Sequence, residues 1–298
     1  MRFSLLPVLF AGVLLIGSCS LLKPVAEIDE EKEAREAYSA GNYELALEEY
    51  ERLIESRRNS EQEVDGEFFH CAGLAAFNLG LTSRALDYLE RARHTDAVND
   101  QTYAALARAY REIDNLSREI THLENYLTNY PEGDQVESLR IRYFETLAES
   151  KNWQQAYELW PELREDARDD DGLLTHYFQV NLALGHEDTA DELAEKLLEI
   201  DKDNTDALDR LARKYFNRAE KRYQEEMDAY NKNRTHRQYA QLLAAFEELN
   251  KDFRTSLSYF LKLYDQNPSR EYASFLHNIY TRFENDERAR YYLEQMGE

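Results

Sequence analysis

Small and aromatic residues recur at fixed positions along this chain and predict a series of helical hairpins. In residues 34–50, alanines and tyrosines at helical spacing lie on both sides of a single glycine. The central small residue of this pattern returns at intervals of 39, 34, 37, 34, 66 and 33 residues. These positions are Ala46, Ala85, Glu119, Ala156, Ala190, Ser256 and Ala289. A period near 34 indicates helix-turn-helix units that bury their apolar faces only by stacking.

The pattern resembles the tetratricopeptide repeat (TPR) family. In that family, position 8 of the first helix and position 20 of the second are small, because the two helices cross closely there. Position 8 is occupied by Ala34, Gly73, Ala107, Phe144, Phe178, Ala212 and His277. The large residues of repeats four, five and seven require local repacking. The resemblance implies an all-α, right-handed TPR solenoid of about seven hairpins, forming one body over residues 27–298.

Turn residues fall in the same register. Three repeats carry glycine where the first helix ends and a left-handed backbone is expected: Gly41, Gly80 and Gly185. Asp114 and Lys151 take this position in repeats three and four. Pro161 falls inside the second helix of repeat four and predicts a kink there.

The interval of 66 residues between Ala190 and Ser256 exceeds one repeat. It contains either a degenerate extra hairpin or one hairpin with both helices lengthened. The second interpretation is favoured because apolar stripes run unbroken over residues 208–230 and 239–260. About 16 extra residues per helix predict a spur, residues 216–255, that projects about 24 Å. Either it contacts a partner or it is plain coiled-coil packing.

The first 18 residues have a different character. Arg2 precedes an apolar run, residues 3–16, that is typical of a secretory signal peptide. The run ends in Ile16-Gly17-Ser18-Cys19, which resembles the bacterial lipobox. The resemblance implies removal of residues 1–18, lipidation of Cys19 with acyl chains such as palmitate, and a lipidated tether over residues 19–26. A plain signal peptide with an incidental cysteine and an uncleaved anchor are the alternatives.

Charge narrows the choice of partners. The chain carries 36 basic and 59 acidic side chains, a formal net charge of -23. This field disfavours nucleic acid and anionic lipid surfaces. Ser20, where some lipoproteins retained in the inner membrane have aspartate, favours the bacterial outer membrane, with the protein facing the periplasm. The second cysteine, Cys71, lies in an apolar helix and is expected to be a buried packing residue.

The residues required for catalysis are missing from the sequence. There is no His-Glu-x-x-His pair, no glycine-rich nucleotide loop and no Gly-x-Ser-x-Gly. The carboxylates in acidic runs such as residues 169–171 are typical of solvated loops. We therefore predict that the protein is not an enzyme and has no catalytic residues, metal, cofactor or small-molecule substrate.

The resemblance instead implies recognition of a peptide or protein in a groove formed by the first helices. Positions 5, 9 and 12 of these helices face the groove in the family. They correspond here to Arg35, Tyr38, His70, Phe77, Arg108, Arg111, Gln179 and Arg213. Four arginines predict a locally cationic groove suited to carboxylates. Alternatively, each arginine pairs with a neighbouring acid for little energy.

The leading hypothesis is a lipid-anchored scaffold or adaptor for other proteins of the bacterial cell envelope. A subunit of an outer-membrane protein assembly or secretion machine is the first alternative, since such machines also join a lipobox to TPR hairpins. An accessory factor of an envelope enzyme and a self-associating spacer are the others.

Overall fold

The computed structural model describes residues 25–297, with side chains from residue 30 onward. This part of the chain forms fourteen α-helices and confirms the predicted all-α TPR-type solenoid. It divides into two compact units, unit 1 up to Ile113 and unit 2 from Asp114. The predicted signal peptide and Cys19 lie outside the described residues. No helix between residues 25 and 297 is both long enough and apolar enough to cross a membrane.

Unit 1 contains five helices, and consecutive helices pack on one another. Their bounds are α1 Val25–Ser39, α2 Tyr43–Asn59, α3 Gly66–Asn78, α4 Thr82–Ala92 and α5 Asp100–Glu112. Alanines and Gly73 at the predicted crossing points are buried, so the helices approach closely. A side-chain carbon on Gly73 would lie 2.6 Å from Leu89 Cγ. Cys71 is buried as expected, and its burial raises the pKa of its thiol.

Unit 2 contains the other nine helices of the described chain, again packed in sequence. They are α6 Leu116–Asn129, α7 Val136–Glu149, α8 Trp153–Leu159, α9 Asp171–Leu184, α10 Glu187–Ile200, α11 Thr205–Lys232, α12 His236–Gln266, α13 Arg270–Arg282 and α14 Asp286–Gln295. Positions 8 and 20 of the repeat meet as predicted in this unit. Ser256 Oγ donates to the Ala212 carbonyl oxygen at 2.8 Å, and His277 Nδ1 lies 2.9 Å from the Ala289 carbonyl oxygen.

The left-handed turns lie where the sequence places them. Gly41, Gly80 and Gly185 have φ values of 74°, 71° and 74°. Asp114 and Lys151 adopt the same region at 55° and 63° despite their Cβ atoms. A non-glycine residue pays a steric cost in this conformation.

Replacing Lys151 with glycine is therefore expected to stabilise unit 2 by about 0.5–1 kcal/mol, because relief of the left-handed strain exceeds the added entropy of the unfolded chain. Urea denaturation followed by far-UV circular dichroism measures the change. Gln155→Gly, at an exposed position inside α8, is the control and should destabilise by about 1 kcal/mol. If both glycines destabilise equally, the strain argument is wrong.

The kink that the sequence predicts at Pro161 in repeat four is absent from the structure. Pro161 ends α8 instead of kinking it: the helix stops at Leu159 and a single 3₁₀ turn, Trp160–Glu162, follows. The shortened helix lets Trp160 lie flat on Tyr177, with ring centroids 4.1 Å apart. Phe144, at a position that is normally small, packs on Trp160 at 5.1 Å. The proline and the large residue at position 8 therefore belong to one local repacking.

The long interval forms one elongated hairpin, as favoured above. The helices α11 and α12 have 28 and 31 residues and pack on each other along their length. Tyr223 stacks on Phe246 at 5.5 Å, and Tyr230 lies 5.9 Å from Tyr239 near the turn. Thr235 caps α12 by accepting a hydrogen bond from the Gln238 amide.

Candidate binding surfaces

The predicted groove residues of α1 are held by their neighbours. Arg35 donates to Glu67 of α3 at 2.8 Å and thereby joins the first helices of two consecutive repeats. Both side chains are about half exposed, so this ion pair contributes little stability. Tyr38 is half-buried, and its ring meets the Tyr43 ring edge-on at 5.7 Å. Burial raises the pKa of Tyr38 to about 12.

In α3, the candidate His70 is a buried packing residue. Its Nδ1 lies 3.0 Å from Thr102 Oγ1, and its Nε2 lies 3.3 Å from Asn99 Nδ2. Asn99 and Thr102 form the capping box of α5, so the imidazole ties α3 to the start of α5. An amide that donates to Nε2 requires a neutral ring with its proton on Nδ1. Phe77, the other candidate of α3, is half-buried against the unit 1 core.

Burial lowers the pKa of His70, although Glu67 and Asp100 oppose the shift. The unfolded chain takes up a proton near pH 6.5, and the folded chain resists it. Below that pH the unfolded state binds more protons, so unit 1 is expected to lose stability as the pH falls.

Melting temperatures measured at about pH 7.5 and about pH 5.5 test this expectation. His70→Asn should show a smaller loss between the two conditions than the wild-type chain. His94→Asn, at an exposed position in the same unit, should lose as much as the wild type. Equal losses in the two variants would contradict the assignment.

Arg108 and Arg111 lie on the exposed side of α5 at the end of unit 1. They are spaced three residues apart, so they share one face of the helix. That these two arginines bind a partner stays a prediction.

Unit 2 brings its two predicted groove residues together. Gln179 of α9 and Arg213 of α11 line one cleft of about 470 Å³, together with Tyr272 of α13. The three helices are the first helices of repeats five, six and seven, the face on which the family pattern predicts binding. The half-exposed Leu182 adds apolar surface, whereas Phe178 borders the cleft but is only 1% exposed.

The cleft is charge-balanced and differs from the cationic groove considered above. Arg213 donates to Asp209 at 2.7 Å, and it pairs with Glu271 at 2.8 Å. The hydrogen bond to Asp209 raises the pKa of Arg213, and burial opposes this shift only in part. The guanidinium also lies 5.1 Å from the centroid of the Phe275 ring. Gln179 contacts Asp206 at 3.5 Å. Neighbouring acids therefore hold Arg213, as they hold Arg35.

One buried ion pair was missed by the sequence reasoning. Glu119 occupies the small position of repeat three, is 1% exposed, and accepts hydrogen bonds from Arg142 of α7 at 2.6 and 3.1 Å. Arg142 also donates to Glu149 at 3.0 and 3.1 Å. Burial by itself lowers the pKa of Arg142, but the hydrogen bonds to Glu119 and Glu149 raise it above its usual value. The sequence does contain a signal for this pair, since Glu119 is a carboxylate at a repeat position where the family has a small residue.

Comparisons with known proteins give similar structures only. No family model and no curated protein matches the chain. YrrB, a TPR protein, is 17% identical, with a TM-score of 0.47 over 61% of this chain and 94% of its own. The C-terminal part of a TPR protein from Cytophaga hutchinsonii is 12% identical, with a TM-score of 0.47 over 89% and 93%.

A third similar structure is a TPR protein from Parabacteroides merdae. It is 11% identical, with a TM-score of 0.43 over 91% of this chain and 92% of its own. The solenoid class of this chain rests on its own helices, left-handed turns and close crossing points.

Proposed function

We propose that the chain is a scaffold of the bacterial cell envelope that binds a segment of a partner protein in the cleft formed by α9, α11 and α13. The observation that carries this proposal is the meeting of Gln179 and Arg213 in one cleft of about 470 Å³. Its lining joins apolar surface of Leu182 and Tyr272 to polar and charged groups such as Asp206, a mixture that an extended peptide can contact through both its side chains and its backbone. The paired charges on its walls supply both donors and acceptors for a peptide backbone.

A charge introduced at the rim tests whether the cleft binds a partner protein. Leu182→Asp is expected to reduce recovery of co-purifying proteins from native membranes at least tenfold, since it places a charge where an apolar contact is needed. Ile200→Asp is the matched control, because this exposed apolar residue lies outside the cleft in the same unit. Equal recovery with both variants would refute the cleft as the binding site. Recovery of outer-membrane barrel-assembly components would instead support the machine-subunit alternative.

The membrane part of the proposal depends on Cys19. Lipidation there would hold the solenoid at the periplasmic face of the outer membrane, because two or more acyl chains anchor a protein durably. Metabolic labelling with an alkyne analogue of palmitate should label the wild-type chain, and Cys19→Ala should abolish the label and release the chain from membranes. Undiminished labelling of Cys19→Ala would contradict the lipid anchor.

A further inference from the structure

The N-terminal half of α12, near the turn of the elongated hairpin, carries an apolar stripe on one side. Tyr239 and Leu243 are 49% and 47% exposed, although they lie beside Leu242, which is buried against α11. The stripe continues with Phe246, three residues further, and ends four residues later at the polar Asn250. Large apolar side chains exposed in a row are unusual on a helix whose other faces are packed or polar.

The stripe leads into a cleft of about 430 Å³ at the root of the hairpin, beside the turn between α13 and α14. Its apolar lining includes Tyr223, Phe246 and Phe283. Arg282 contributes to the wall: its guanidinium lies 4.0 Å from the centroid of the Tyr223 ring and donates to Glu220. On the rim, Arg254 is exposed and makes no ion pair within residues 30–297. We call the stripe and this cleft together the overhang.

The end of the hairpin has the opposite charge to the rest of the chain. Residues 229–246 contain no aspartate or glutamate, although the chain has 59 of them, and they carry Lys232, Arg234 and Arg237. None of these three cations forms an ion pair in the described part of the chain. Arg234 donates only to the side chain of Asn231, at 3.1 Å.

Acidic side chains border the tip on α11: Glu225, Glu226 and Asp228 lie within about two helical turns of Lys232. In the part of the chain that the structure describes, none of them forms an ion pair with Lys232, Arg234 or Arg237. The three cations therefore stay available to a partner.

We propose that the overhang binds an amphipathic α-helix of another protein, with its apolar residues on the stripe and its acidic residues toward the cationic tip and Arg254. The 239, 243, 246, 250 spacing covers about three turns, the length of contact made when a helix docks in a groove. Arginine binds carboxylates bidentately, which gives the tip its preference. Glu247 borders the stripe and disfavours a second acidic side chain at that point.

An anionic membrane fits the overhang less well. Residues 231–237, which form the end of α11, the turn and the start of α12, contain no apolar side chain that could insert into lipid. Attraction of three cations to anionic lipid gives only roughly millimolar affinity.

The test uses the full chain in detergent and a fluorescein-labelled helical peptide of about 18 residues, with leucines on one face and glutamates on the other. Fluorescence anisotropy should show saturable binding, at least tenfold weaker for the same peptide with lysine in place of glutamate. Leu243→Glu should weaken binding at least tenfold. Leu261→Glu is the matched control, because this exposed leucine of α12 lies outside the overhang, and it should leave the affinity unchanged. Arg234→Glu combined with Arg237→Glu should weaken binding and reduce its dependence on salt.

Three results would overturn the proposal: equal effects of Leu243→Glu and Leu261→Glu, equal binding of the lysine peptide, or no binding at about 1 mM peptide. Binding to phosphatidylglycerol vesicles that depends on Arg234 and Arg237, without peptide binding, would assign the tip to membranes instead.

Photo-cross-linking in cells gives a second readout, with benzoylphenylalanine at position 243 or 261. Only position 243 should yield a cross-linked segment, and its sequence should be amphipathic and acidic.

Discussion

Replacing Arg142 with methionine is expected to lower the free energy of unfolding of unit 2 by about 3–5 kcal/mol, since it leaves Glu119 charged and buried without its partner. Glu119 is 1% exposed and takes two hydrogen bonds from the guanidinium, at 2.6 and 3.1 Å. Methionine conserves much of the side-chain volume, so the effect reports the lost charge pair more than a cavity. Urea denaturation followed by far-UV circular dichroism measures it.

A double variant separates the charge from the packing. Glu119→Ala in the Arg142→Met background places the family's usual small residue at this position and should recover more than half of the lost stability. Lys251→Met breaks an exposed pair with Glu248 and should leave the free energy of unfolding nearly unchanged. If Arg142→Met costs no more than Lys251→Met, the buried pair does not stabilise unit 2.

Replacing Phe253 with alanine is expected to destabilise unit 2 by about 3–5 kcal/mol. Phe253 is fully buried at the root of the elongated hairpin, where its ring lies 5.9 Å from Phe216 and 6.3 Å from Phe283. Loss of the ring removes contacts that join α11 and α12 to the turn after α13. The surrounding aromatic side chains are large and packed on both sides, so the cavity cannot collapse fully.

Hydrogen exchange measured by mass spectrometry locates the effect. In Phe253→Ala, amides of α11, α12 and α13 should all exchange faster, whereas Tyr239→Ala near the tip should affect only the end of the hairpin. Tyr239 is 49% exposed, so its loss should cost less than about 1 kcal/mol. Equal exchange in the two variants would mean that the root does not hold the hairpin.

The repeat architecture was accessible from the sequence because its signals are local. Small residues that return at intervals mostly near 34, glycines at left-handed turns and two unbroken apolar stripes can each be read from short segments of sequence. They correctly predicted the helical hairpins, the non-glycine turn at Lys151 and the elongated hairpin of α11 and α12. The lipidation of Cys19 and the wider role of the chain stay predictions.

The tertiary structure decided which side chains meet across repeats. Sequence spacing placed Arg213 at a groove position, but only the packed helices show that Asp209 and Glu271 hold it. The same holds for His70, which the repeat register places at a groove position and the fold buries against the cap of α5. By sequence, Glu119 only departs from the repeat pattern, and the packing of α7 shows that Arg142 pairs with it. Backbone periodicity is set within one helix, whereas charge pairing and burial depend on neighbours that are distant along the chain, and only their packing decides them.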